Sequence, residues 1–161
     1  MKLVEILRGM PGSGKSHYAE FRMLEIGPTV QSSEVVSTDK FWKTSKAPNG
    51  FNYKQLIEAH EWCKARFVEA LQNGTEFVIL DNTNITWAEY KTFYVRIAES
   101  FGYRVRILDF NPAMASDAIV CARRNLHNVP LWKAMKMWEE FEEDPNTDEV
   151  KFKSGLSERQ D

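Results

Sequence analysis

At 161 residues with 43% hydrophobic side chains, the chain is long enough to bury one core without disulfide or metal staples, and a single domain is expected. A formal charge of −2 and a pI near 6.0 exclude a protein that coats nucleic acid through a broad basic face, so any polynucleotide contact must be local. Cys63 and Cys121 occupy apolar positions of helical patterns and match no metal or redox spacing, which predicts buried free thiols in a reducing compartment.

The apolar run at residues 2–8 reads as a buried strand. Broken by Glu5 and stopped by Arg8, it is too short for a signal peptide or a membrane span, and a cytoplasmic or nuclear protein is expected. A helix follows from Lys15 to about Ile26, where Gly27 and Pro28 stop it. Val35–Ser37 reads as a short second strand, and the residues between Lys43 and Gly50 as a polar loop. Asn52 with Gln55 resembles a capping box opening a long helix to about Asn73, whose Leu56, Ala59, Cys63, Phe67, Ala70 and Leu71 recur at helical spacing. Phe77–Leu80 is apolar throughout, as a strand covered on both faces should be. Thr86 and Glu89 form a second capping box before a helix with an aromatic stripe from Trp87 to Phe101, ended by Gly102. Val105–Phe110 is a fourth strand, Asn111–Pro112 starts a helix ending in Arg123 and Arg124, and Pro130 opens a last helix. Residues 144–161 are charged and weakly periodic and read as a mobile tail beyond a domain at 1–143.

Strands and helices alternate throughout. That pattern predicts an α/β three-layer sandwich of P-loop kinase-like type, with a central parallel sheet and a ligand edge at the carboxyl ends of its strands.

Between the first strand and first helix stands Gly-Met-Pro-Gly-Ser-Gly-Lys-Ser, residues 9–16. This is the phosphate-binding P-loop pattern in its expected context: a side-chain-poor loop turns backbone N–H groups toward phosphate, and the helix adds its N-terminal dipole. Gly12, Ser13, Gly14, Lys15, Ser16 and His17 are the candidate contacts to ATP or another nucleoside triphosphate. Lys15 reaches the β/γ-phosphates in such loops, and Ser16 ligates Mg²⁺. Asp81 follows the third strand, where an acid holds Mg²⁺ in P-loop enzymes; a turn-forming role within Asp81-Asn82-Thr83-Asn84 is the alternative. Asp39 follows the second strand. If the third strand lies between the first and second, Asp39 stands on the acceptor side, placed to take the proton of an attacking hydroxyl; otherwise it caps a helix. Arg123, Arg124 and His127 cluster at a helix end, where a guanidinium can stabilise charge on a transferring phosphoryl group or merely complement the helix dipole.

Together these residues resemble a known family. Gly-x-Pro-Gly-Ser-Gly-Lys-Ser at 9–16, Ser-Thr-Asp at 37–39, Glu-Ala-His-Glu-Trp at 58–62, Asp-Asn-Thr-Asn at 81–84, Phe-Gly-Tyr-Arg-Val at 101–105 and Arg-Arg-Asn-x-His-x-Val-Pro at 123–130 are similar to the P-loop kinase domain of bacteriophage polynucleotide kinases. They look closer still to the polynucleotide-kinase-like domain of animal Nedd-type ubiquitin-ligase binding proteins. The resemblance implies an ATP- and Mg²⁺-dependent transfer of γ-phosphate to a 5′-hydroxyl of DNA or RNA. By it Asp39 falls on the general base, Lys15 and Ser16 on phosphate and metal contacts, Thr83 on a contact to the acceptor phosphate, with Asn84 beside it. The resemblance also implies a helical lid that closes over ATP, in which Arg124 falls.

The chain also departs from that pattern. His17 stands where most P-loops carry a second Ser or Thr. Where the phage enzymes place an acceptor-contacting arginine, this chain has Trp42 followed by Lys43, leaving Trp42 as either a base-stacking or a core residue. A kinase for a small hydroxylated metabolite or nucleoside, and a nucleotide-binding module without turnover, therefore stay open. No paired His-x-Thr/Ser motifs of a cyclic phosphodiesterase occur, and a phosphatase domain like that of the phage enzymes is not expected in residues 144–161.

Overall fold

The computed structural model describes residues 1–125 and 129–148. Four strands, β1 (Leu3–Arg8), β2 (Ser33–Val36), β3 (Phe77–Asp81) and β4 (Arg104–Asp109), form one parallel sheet in the order β2-β3-β1-β4. β3 thus lies between β1 and β2, as the acceptor-side reading of Asp39 requires.

Strand alternation sorts the core into two layers. Leu3 and Leu7 of β1 join Phe77 and Ile79 of β3 under α1 (Lys15–Ile26), while Val4, Ile6, Val78 and Leu80 face α2 (Leu56–Gln72) and the helical segment from Trp87 to Ser100. That segment is not one α-helix. α3 (Trp87–Tyr90) and α4 (Arg96–Ser100) flank a π-helical turn at Lys91–Val95, which keeps both Tyr90 and Tyr94 buried while Trp87 and Phe101 stay exposed. Glu5, fully buried on the α1 side, is satisfied by Tyr18, Arg22 and Arg106.

Three local expectations are corrected. The helix expected from Pro112 begins at Ala115 as α5 (Ala115–Arg124), because residues 111 and 112 make cross-chain ties instead: Asn111 Oδ1 accepts from Met10 N at 3.1 Å and Pro112 O from Trp138 Nε1 at 2.6 Å. Neither capping box closes: the first forms only its asparagine half, and at the second the Thr86 side chain makes no cap bond. Asn52 Oδ1 accepts from Lys54 N, but the Gln55 amide donates to Lys46 O; Glu89 Oε2 accepts from Ile85 N rather than from Thr86. The chain also stays packed past residue 143. Asp144 is buried against Tyr90 and Lys91, and Asp148 N donates to Ile107 O at 2.8 Å. The expected tail is therefore docked through Asp148, and 149–161 lie outside the described residues.

The lid helices α5 and α6 (Leu131–Glu140) close a small core of Ala118, Cys121, Ala122 and Ala134 over Met10 of the P-loop. Cys63 and Cys121 are both buried free thiols. Among the described residues no helix is long and apolar enough to cross a membrane.

Candidate active site

The P-loop leaves β1 at Gly9, whose N–H donates to Thr83 O at 2.9 Å, and enters α1 at Lys15. Its glycines answer two demands. Gly14, the N-cap of α1, sits in the left-handed region at φ 97°. At Gly12, with φ 78°, a Cβ would stand 1.9 Å from Cys121 O, so α5 can lie against the loop only because that position has no side chain.

Lys15 is 7% exposed, and its ammonium donates to Gly9 O at 2.8 Å, Met10 O at 3.0 Å and Ser13 Oγ at 3.2 Å. Burial lowers its proton affinity, partly offset by the carboxylates of Asp81 and Asp39. Both acids are therefore close enough to act on the P-loop lysine. Ser16 Oγ donates to Asp81 Oδ2 at 2.8 Å, so the loop and the end of β3 share one polar contact. His17 is exposed on the first turn of α1.

Asp39 lies in the 3-10 turn Thr38–Lys43 that leaves β2, with its N–H donating to Ser37 Oγ at 3.2 Å. That turn is fastened to β3 by a residue the motif reading left without a role. Asn82 Oδ1 accepts from Thr38 N at 2.9 Å, and its amide points to Cys63 Sγ of α2 at 3.5 Å. The signal was the Asn beside Asp81, read there only as turn-forming. Burial lowers the proton affinity of His60 on α2, offset in part by the carboxylates of Glu89 and Asp39.

Thr83 is half-buried, with its carbonyl committed to Gly9. Asn84, expected beside it on the acceptor, is 3% exposed instead, with φ 47° and its amide donating to Leu7 O at 2.8 Å. It pins the β3 exit loop to β1, an Asn tolerating the left-handed backbone there. Beneath it Arg8 is fully buried between the rings of Tyr90 and Phe141, at 4.3 and 4.4 Å, and donates to Asn84 O, Ile85 O and Glu142 O.

Trp42 is half-buried, its ring 5.0 Å from Phe41 and 4.9 Å from Phe51; Lys43 beside it is exposed. Phe41 itself is fully buried with Ala47 and Ala59. On the lid, Arg124 Nε donates to Gly12 O at 2.7 Å; both Arg124 and the neighbouring Arg123 are exposed. Of the two arginines, then, Arg124 is the one that touches the P-loop. His127 lies outside the described residues. Among the described residues no group of three or more His, Cys, Asp or Glu side chains converges as a protein-only metal cage.

Comparisons with known proteins agree with this geometry. NEDD4-binding protein 2 of Homo sapiens is 34% identical over 137 residues, which is 85% of this chain but 7% of that protein's length. In three dimensions the chain is similar to a component of the Pnkp1/Rnl/Hen1 RNA repair complex, with a TM-score of 0.62 and 17% identity over 87% of this chain and 44% of that one. It is also similar to the Mycobacterium tuberculosis APS kinase CysC in complex with AMPPNP and APS, with a TM-score of 0.61 and 15% identity over 99% and 95% of the two chains. At those identities the structural likeness speaks for a shared P-loop kinase fold. The profile of the AAA domain family matches residues 4–142, and with the P-loop and sheet order described above the chain belongs to that family, with a P-loop kinase-like fold.

Proposed function

We propose that this domain transfers the γ-phosphate of ATP to the 5′-hydroxyl of a DNA or RNA strand. The observation that carries this reading is the division of one sheet edge into two halves. Lys15, Ser16 and Asp81 gather around the P-loop between β1 and β3, while Asp39 stands at the exit of β2, beyond β3, yet close enough to act on the Lys15 charge. A phosphate donor and a hydroxyl acceptor need that separation for in-line transfer.

The residues fit the groups they would hold. The three acceptors that now satisfy the Lys15 ammonium are loop atoms, and a triphosphate in the loop offers that ammonium oxygens in their place. The Ser16 hydroxyl and the Asp81 carboxylate are hard oxygen donors 2.8 Å apart. This suits Mg²⁺, which takes few protein oxygens and keeps several waters. When bound, it neutralises charge on the β- and γ-phosphates.

In the reaction, the acceptor 5′-oxygen forms a bond to the γ-phosphorus as the bond from that phosphorus to the β-bridging oxygen breaks, and ADP leaves. Asp39 takes the proton of the attacking hydroxyl. Lys15 and Arg124 stabilise charge on the transferring group from the two sides of the loop. Support for a polynucleotide acceptor comes from the motifs at 37–39, 81–84 and 123–130.

The test is transfer from γ-labelled ATP to 5′-hydroxyl DNA and RNA strands, nucleosides and sugars, with Lys15→Ala and Asp39→Asn beside the wild type. Lys15→Ala should abolish transfer, and Asp39→Asn should abolish it while ATP still binds. Transfer only to small hydroxylated acceptors would replace this reading by a metabolite kinase, the class to which the similar APS kinase belongs. Binding of ATP with transfer to none would leave a nucleotide-binding module.

A further inference from the structure

The segment that leaves the Asp39 turn does not match the rest of the molecule. Residues 40–57 carry four lysines, Lys40, Lys43, Lys46 and Lys54, and no aspartate or glutamate, in a chain whose formal net charge is −2. The same segment exposes large apolar side chains: Phe51 is 63% and Tyr53 73% exposed. Single exposed hydrophobics are ordinary. Here they are organised. Phe51 packs edge-on against Trp42, which rests on the buried Phe41, so the exposed ring is braced from the core outward. Asn52, between Phe51 and Tyr53, has extended backbone at φ −138° and ψ 115°, its side chain capping Lys54 N. Residues flanking an extended position project to the same side and lie about 7 Å apart, twice the ~3.4 Å rise per nucleotide of a stacked strand. The Gln55 amide ties this stretch back to Lys46 O at 2.8 Å, which brings the backbone of Lys46 next to the turn that carries Tyr53 and Lys54.

Building on the polynucleotide reading of the site, we propose that residues 43–54 form a single-strand platform, on which Phe51 and Tyr53 stack bases downstream of the reacting 5′ end while Lys43, Lys46 and Lys54 meet the phosphates. Rings among cations of one sign fit an unpaired nucleic acid strand, whose bases offer π-faces and whose backbone is anionic. Within a duplex the bases are already stacked on one another and offer only their edges, apart from the outer face of the terminal pair. The substrate class is therefore a single-stranded 5′ end several nucleotides long.

Two measurements test this. In the first, kcat/KM is compared for a nucleoside 3′-phosphate and for a 5′-hydroxyl single strand of about 12 nucleotides. The wild type should prefer the strand, and the double variant Phe51→Ala/Tyr53→Ala should lose roughly tenfold or more of that preference, with its melting temperature near wild type. Equal kcat/KM for the two acceptors in the wild type, or an unchanged preference in the variant, overturns the platform while leaving the kinase reading standing. In the second, fluorescence anisotropy follows binding of a 3′-labelled strand of the same length to the full chain against salt. Lys46→Gln/Lys54→Gln should reduce the slope of log K against log salt by about 1.4, from ~0.7 per phosphate contact. An unchanged slope overturns the platform. Because binding is read without catalysis, a strand that binds in this way and receives no phosphate would sink the kinase reading and keep the platform.

Discussion

Ser16 Oγ donates to Asp81 Oδ2 across 2.8 Å, which joins the first turn of α1 to the last residue of β3 at the point where a nucleotide-bound cation would sit. Asp81→Asn keeps the shape and removes the charge. Transfer should then require 10- to 100-fold more Mg²⁺, the usual cost of weakening an oriented ligand pair. Titration of Mg²⁺ at fixed ATP reads this directly. An unchanged Mg²⁺ requirement would return Asp81 to a turn-forming role.

Arg124 is exposed, and it reaches the P-loop through one hydrogen bond, to Gly12 O. Arg124→Ala should therefore change the unfolding free energy by no more than about 1 kcal/mol. Transfer should fall far more, by on the order of 10³ if the guanidinium acts on the transferring phosphoryl group. Arg123→Ala, on the neighbouring exposed side chain, serves as the control and should leave kcat near wild type. Equal losses in the two variants would mean that the lid acts through overall charge and not through the contact to Gly12.

Trp42 divides its surface between the buried Phe41 and the exposed Phe51. Packing therefore accounts for at least one of its two faces, and Trp42→Ala should cost on the order of 2 kcal/mol in urea unfolding, about half of a fully buried truncation. A cost near zero would show that the ring is available to substrate.

Asn82 fastens the turn that carries Asp39 to the end of β3. Asn82→Ala leaves the N–H of the buried Thr38 without that acceptor, which should cost about 1–2 kcal/mol. It also frees Asp39 to shift, and misplacement by ~1 Å can cost about 100-fold. The expected signature is a lower kcat with the KM for ATP little changed, since the P-loop does not depend on this bond. A rise in the KM for ATP alone would place Asn82 in the donor half.

Much of this site is legible in the sequence because its residues stand at strand ends, and strand ends are fixed by apolar runs: the P-loop after β1, Asp39 after β2 and Asp81 as the last residue of β3 emerge at one edge once the sheet is parallel. What stays illegible depends on tertiary partners. Asn84 looks like its neighbours in Asp-Asn-Thr-Asn, yet a backbone φ of 47° and the carbonyl of Leu7 turn its amide inward, and no local pattern encodes that carbonyl. Asn111–Pro112 carries a sound helix-start signal that the ties to Met10 and Trp138 override. Arg8 ends an apolar strand as a lone charge, and the rings of Tyr90 and Phe141 with the carbonyls of three distant residues bury it. Asp144 lies in a charged, weakly periodic stretch that carries no packing signal, because its partner Tyr90 is 54 positions away.

That last pair gives a prediction about acid. The Asp144 carboxyl accepts from the Tyr90 hydroxyl and from Asn146 N and pairs with Lys91 at 3.2 Å. Burial pushes its proton affinity up, but these partners outweigh burial and hold it below the ordinary 3.8. A carboxyl depressed in the folded state binds fewer protons there than in the unfolded chain, so its contribution is present above that ordinary value and is lost as pH falls through the lower, folded one. Urea unfolding between about pH 5 and 2 should show stability falling with a slope that Asp144→Asn reduces by up to about 1.4 kcal/mol per pH unit, one proton's worth. The same loss should release the 142–148 segment from Arg8 and Ile107, so amide exchange at Asp148, whose N–H donates to Ile107 O, should rise over the same range. Parallel acid limbs in the two proteins, with Asp148 still protected at low pH, would show that the segment is held by Arg8 and the backbone alone.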